Sequence, residues 1–200
     1  MADVLPVLRV LGMLVMLFAL ASGVPLAVSL HQQDGVWQVY PIAMAAALGS
    51  GAALTFGLRR YRRELLPRHG VMLVSLAWSL LPLVALPLTL ACGLVGRPLS
   101  FTHAYFEAVS GLTTTGSTIF TGLDALPVSV NVWRTLLQWI GGMGILVLAV
   151  AVLPMLGVGG SQLFKAEAAG PVRDTKLTPR MTGTAKGLWG VYATFSVACA

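Results

Sequence analysis

Five apolar stretches, most of them near or above the ~20 residues that span a bilayer, constrain this chain more than any other feature. They run from about Val4 to Leu30, Trp37 to Leu58, Val71 to Val95 and Val132 to Val158, and the fifth opens at Gly187 and is still apolar at Ala200. That last helix would reach only ~21 Å, so the expectation is a fragment of a longer gene product. Of the 200 residues, 56% are hydrophobic and 10% charged, against ~25% charged in soluble domains. Mean hydropathy is +0.83. A soluble enzyme and a disordered regulator are excluded. Cys92 and Cys199 both lie in apolar stretches, which excludes a disulfide-stapled domain or a multi-Cys metal site.

The formal net charge of +6 would suggest nucleic acid if it lay on one soluble face. It lies in two juxtamembrane loops instead. Arg59, Arg60, Arg62, Arg63 and Arg68 follow the second stretch, and Lys165, Arg173, Lys176, Arg180 and Lys186 follow the fourth. The loop His31–Val36 carries no Lys or Arg, and the region after the third stretch holds only Arg97, with Arg134 just inside the fourth. The positive-inside rule therefore predicts a multi-pass protein with its N-terminus and both basic loops in the cytoplasm. The basic patches are topology signals and contacts to anionic lipid, and nucleic acid is not an expected partner. Met1–Gly23 can also be read as a secretory signal. Against that, Arg9 is offset by Asp3, and the apolar run continues through Pro25 to Leu30.

The chemistry is concentrated between Leu99 and Asn131. Ser100 is a plausible N-cap, and Ala104, Phe106, Ala108 and Leu112 have helix-compatible spacing from Phe101 to Leu112. A helix over 101–112 is about 18 Å long, too short for a ~30 Å hydrocarbon core. Thr113-Thr-Thr-Gly-Ser-Thr118 follows, a β-branched and small-residue run that suits extended backbone. A half-length helix, an extended strand and a return to the same side describe a re-entrant hairpin. In lipid such a hairpin is costly unless its carbonyls have a partner. Potassium is one, shedding water to successive backbone oxygens. The carbonyls of Thr114, Thr115 and Gly116 are thus the expected potassium ligands, with glycine allowing the backbone to leave ordinary φ/ψ space. The competing reading is an ordinary extracellular turn.

Longer motifs surround this segment. Phe106-Glu-Ala-Val-Ser-Gly-Leu-Thr-Thr-Thr-Gly-Ser-Thr118, Val132-Trp-Arg-Thr-Leu-Leu-Gln-Trp-Ile-Gly-Gly-Met-Gly144, Leu153-Pro-Met-Leu-Gly-Val-Gly-Gly160, Lys176-Leu-Thr-Pro-Arg180 and Thr184-Ala-Lys186 closely resemble the Trk/Ktr/HKT superfamily of potassium transporters. The resemblance is nearest to the bacterial Trk-type membrane subunit. It is strong from about Phe101 to Tyr192 and mainly hydropathic before that. It implies an all-α membrane protein of four helix–pore-loop–helix repeats around one pore, preceded by two extra transmembrane helices. Residues 1–60 would be the extra pair. Residues 71–158 would be the first repeat, with pore helix 101–112 and filter strand 113–118. Residues 159–185 would be a cytoplasmic basic loop and 186–200 the start of a truncated second repeat. The resemblance also implies potassium uptake through the bacterial inner membrane, a homodimer, and a cytoplasmic nucleotide-binding regulatory subunit that the loop Lys165–Lys186 could touch. Potassium is the cargo and no cofactor is expected. Proton coupling, sodium coupling and gated conduction all stay open. One filter strand cannot surround an ion, so the chain supplies one of four; assembly of four copies is the alternative.

Other residues have plainer roles open to them as well. Gly141, Gly142 and Gly144 suit close helix packing or bending under the filter. Arg134 is expected to pair with Glu107 or Asp124 and brace the hairpin, while Glu107 is either a cation attractor at the mouth or a carboxylate satisfied locally. His31, His69 and His103 sit in separate segments and form no metal cluster. Ser110-Gly111 invites comparison with an intramembrane serine hydrolase, but no apolar stretch supplies the histidine base, so the chain is not expected to be an enzyme. Trp37, Trp133 and Trp139 read as an interfacial belt. The alternative to a conducting protein is a non-conducting scaffold or assembly subunit.

Overall fold

The computed structural model describes residues 4–61, 67–85, 87–152 and 177–199. In chain order the helices are α1 (Val4–Ala21), α2 (Gly23–Gln32), α3 (Val39–Gly57), α4 (Pro67–Leu80), α5 (Pro87–Leu94), α6 (Phe101–Leu112), α7 (Val128–Val152) and α8 (Leu177–Ala198). Short 3₁₀ turns lie at Leu81–Ala85 and Leu123–Ala125. There is no strand among the described residues. The chain divides into two compact units, Met1–Gly141 and Gly142–Ala200.

Among the described residues, two helical runs are long and apolar enough to cross a membrane, Val4–Gln32 and Val39–Gly57. The first is the α1–α2 pair, interrupted at Ser22 because Pro25 has no N–H to return to Ala21; the Ser22 hydroxyl instead donates to the Ala19 carbonyl at 2.6 Å. The α1 face carrying Val7, Leu11, Val15 and Ala19 is buried, as is the small-residue line Ala47, Gly51 and Thr55 on α3. These helices cross at glycine. A Cβ on Gly12 would lie 2.7 Å from Thr55 Oγ1 and 2.8 Å from the Gly51 carbonyl oxygen, and one on Gly51 would lie 2.7 Å from the Gly12 carbonyl oxygen. The Ala/Gly-rich second stretch thus does what its composition predicts, bringing backbones together where lipid supplies little hydrophobic drive.

Four boundaries differ from the sequence reading, the first being α4, which starts at Pro67, four residues before Val71. The third apolar stretch is broken rather than continuous: α4 gives way to a 3₁₀ turn at Leu81 and α5 begins at Pro87. Pro82 and Pro87 each remove a helical donor and crowd the preceding turn. Near the break the Tyr105 hydroxyl of α6 donates to the Ser79 carbonyl at 2.9 Å. α7 starts at Val128, four residues before Val132. α8 starts at Leu177, so residues 177–185, read as loop, are helical. Residues 62–66 and 153–176, with Arg62, Arg63, Lys165, Arg173, Lys176 and the Leu153–Gly160 motif, lie outside the described residues. Within the second unit, Gly142 of α7 faces Tyr192 of α8, where a Cβ would come within 2.6 Å of the tyrosine hydroxyl oxygen.

Candidate functional site: the Thr113–Thr118 segment

The half-length helix forms with the bounds its caps dictate. Ser100 is extended (φ −66, ψ 156) and its hydroxyl accepts the His103 N–H at 3.2 Å, satisfying one orphan donor of the first turn. At the other end the β-branched run stops the helix. The Thr113 N–H still reaches the Val109 carbonyl at 2.8 Å, but Thr114 N–H turns to Gly111 at 2.9 Å. Thr115 and Gly116 both donate to the single Ser110 carbonyl, at 2.9 and 3.3 Å. The Ser110 hydroxyl donates onward to the Ser117 carbonyl at 2.6 Å. Ser110 is therefore a structural tie between helix and strand rather than a nucleophile.

This arrangement spends the donors and leaves acceptors. The amides of Thr114, Thr115 and Gly116 are consumed by the end of α6, while among the described residues their carbonyl oxygens accept no hydrogen bond. Three consecutive backbone oxygens are thus left without a protein donor. The backbone conformation behind it is unusual. Thr114 has φ +57 and Gly116 φ +74. A β-branched residue in the left-handed region costs roughly 1–2 kcal/mol, and such strain concentrates at functional positions. At Gly116 an added Cβ would meet nothing within 4 Å, so glycine is needed there for its φ and not for space. The threonine hydroxyls hold the turn: Thr113 Oγ1 lies 2.8 Å from Thr115 Oγ1, and Thr114 Oγ1 donates to the Thr113 carbonyl at 2.7 Å.

The far end of the segment is clamped by charge. Glu107 is 4% exposed. Its Oε1 accepts from Thr118 Oγ1 at 2.7 Å and from the Ile119 N–H at 2.6 Å, and its Oε2 from Arg134 Nε at 3.1 Å. Arg134 Nη2 also donates to Thr118 Oγ1 at 2.9 Å, and Nη1 to Asn131 Oδ1 at 3.4 Å. The guanidinium sits 5.3 Å from the Phe120 ring centre, a cation–π distance. Of the two partners considered for Arg134, Glu107 is the one it meets; Asp124 is exposed. Glu107 is satisfied by backbone, hydroxyl and guanidinium, which leaves it no role as an open cation attractor. Thr118, Phe120 and Asn131 complete this brace and were not singled out from sequence. Only Asn131, one turn before Arg134, had a visible signal.

α6 and α7 touch at glycine as well. A Cβ on Gly141 would lie 2.0 Å from the Leu112 carbonyl oxygen, and one on Gly111 3.3 Å from Leu137 Cβ. Gly141 thus has a specific packing role beneath the end of α6. Trp133 corrects the interfacial-belt reading. It is 1% exposed and packs in the core with Val130 and Leu137, because positions 130, 133 and 137 share the buried face of α7. Trp37 is exposed. No group of three or more His, Cys, Asp or Glu able to hold a metal occurs among the described residues.

Comparison with known proteins agrees with this architecture. Residues 38–200 match the TrkH family model, described as cation transport protein. The chain belongs to the TrkH family of cation transport proteins. It is 49% identical over 195 residues to the Trk system potassium uptake protein TrkH of Halomonas elongata, covering 97% of this chain and 40% of that protein. Against the Escherichia coli K12 protein of the same name it is 45% identical over 193 residues, 96% of this chain and 39% of that one. The crystal structure of the potassium transporter TrkH from Vibrio parahaemolyticus superposes with a TM-score of 0.80 at 37% identity, over 97% of this chain and 38% of that one. The fold is that of an all-α membrane protein. The chain spans about 40% of the length of the relatives it matches.

Proposed function

We propose that this chain is the N-terminal part of a Trk-type potassium uptake protein and supplies one of four selectivity-filter strands. Residues 1–60 form the extra helix pair and 71–158 the first helix–pore-loop–helix repeat. Residues 159–185 are a cytoplasmic basic segment, and 186–200 begin the second repeat. The carbonyls of Thr114, Thr115 and Gly116 replace part of the ion's hydration shell, and the negative end of the short α6 dipole favours the cation beside them. No covalent chemistry is involved.

The observation that carries this reading is the row of three unengaged carbonyls at the end of a half-length helix, held by the Glu107–Arg134 clamp. Charge placement supports a bacterial inner-membrane protein with a cytoplasmic N-terminus. The family supports homodimerisation and a cytoplasmic nucleotide-binding regulatory subunit.

The test is Gly116→Ala in the full-length transporter, with potassium and sodium uptake measured in proteoliposomes. Any side chain at φ +74 is strained, so potassium preference should fall at least tenfold, corresponding to roughly 1.4 kcal/mol. Unchanged uptake and unchanged preference would remove Gly116 from the filter, whereas no potassium uptake by the wild type would favour a non-conducting scaffold.

A further inference from the structure

α7 carries Arg134, so the placement of its first turn decides where the guanidinium meets Glu107 and Thr118. That turn has no cap of its own, since the residue before Val128 is Pro127, which offers no side-chain acceptor. The cap comes from far away in sequence. Ser129, fully buried near the start of α7, donates its N–H to Asp34 Oδ2 at 3.1 Å. Asp34 sits in the loop between α2 and α3, where its Oδ1 also accepts from the Ser29 hydroxyl and, at 3.3 Å, from the Val36 N–H. The Tyr40 hydroxyl of α3, whose side chain is 1% exposed, donates to Ser129 Oγ at 3.0 Å. A satisfied polar cluster of this kind, with Ser129 and Tyr40 buried and Asp34 half-buried, specifies one geometry rather than a range. From Ser129 to Arg134 is five residues, about 7.5 Å of helix.

We propose that Asp34, with Tyr40 and Ser129, is a positioning device for cation selectivity: the N-terminal helix pair sets the placement of α7 and, through Arg134, the geometry of the Glu107–Thr118 clamp. None of these three residues needs to touch the ion. The inference rests on the transport reading above.

The test uses the full-length transporter in proteoliposomes, with potassium and sodium uptake measured for wild type, Asp34→Asn, Tyr40→Phe, Arg134→Gln and the Asp34→Asn/Arg134→Gln double variant. Asp34→Asn should lower the potassium-to-sodium ratio roughly threefold, within the range for residues that act at a distance. Tyr40→Phe should lower it less. In the Arg134→Gln background, Asp34→Asn should add nothing, because the element it positions is already lost. A merely structural tie would lower the melting temperature with the ion ratio intact, or its effect would add to that of Arg134→Gln; either result overturns the proposal. Should Asp34→Asn not fold, an unchanged ratio in Tyr40→Phe overturns it equally. Absence of potassium uptake by wild type would remove the transport reading, and this inference with it, whereas a selective wild type indifferent to all of these tethers removes this inference alone.

Discussion

Two helix crossings in the first unit use glycine in the same way and are otherwise unlike. Where α1 meets α3, Gly12 and Gly51 bring backbones together and the surrounding face is apolar except for the buried Thr55 hydroxyl, with Val7, Leu11 and Val15 on one side. Where α6 meets α7, Gly141 and Gly111 do the same, but the crossing sits beside a buried carboxylate, a guanidinium and a segment that has left helical conformation. The contrast follows from where backbone polar groups are spent. In α1 and α3 they are used within each helix, so packing alone suffices. Around Thr113–Thr118 they are not: side chains take up the Ser117 carbonyl and the Ile119 N–H, and the Thr114–Gly116 carbonyls stay open. Selectivity should therefore depend on the second crossing, and stability on both.

The sharpest test of that division is Arg134→Gln. It leaves Glu107 buried without its cation; breaking such a pair costs about 3–5 kcal/mol, and potassium preference should fall with it. A variant that loses stability and keeps its preference would collapse the distinction between the crossings. Gly12→Leu is the counterpart. It drives a side chain into Thr55 and the Gly51 backbone, which should lower stability by about 1–3 kcal/mol while the ion ratio of the surviving protein stays at the wild-type value. Ser100→Ala should cost about 1 kcal/mol by removing the α6 cap, read as a lower melting temperature with fraying confined to the start of that helix.

The smallest effect concerns pH. Burial pushes the Asp34 carboxyl up, but hydrogen bonds from the Ser129 and Ser29 hydroxyls and from the Ser129 and Val36 amides outweigh it, leaving the pKa below its ordinary 3.8. A folded pKa below the unfolded one gives stability that is fully present above about pH 4 and is lost as pH falls through the lower folded value. The melting temperature should show that acid limb in wild type, and Asp34→Asn should flatten it.

How much of this was readable beforehand depends on the range of the interaction. The bounds of α6 and the end of helix at Thr113 follow from a serine cap and a β-branched run, both signals within a few residues. The proline break at Leu81–Ala85 was equally local, and was passed over because hydropathy stays high across it. Arg134 reads as a brace from sequence, yet only the fold decides between Glu107 and Asp124. Trp133 was misread as interfacial because position near a helix start says nothing about which face is buried.

Taken alone, the order of residues determined that the chain is helical, that it suits a bilayer, and that a short helix ends at a threonine–glycine segment, since periodicity, capping and propensity act between near neighbours. That segment folds as a turn at Thr113–Thr114 and not as the extended strand expected. Only the tertiary structure decided that Asp34 caps a helix 95 residues away, that Glu107 takes Arg134, and that Gly141 lies against Leu112. A polar or small side chain offers the same atoms to many partners, and folding in three dimensions selects which of them arrives.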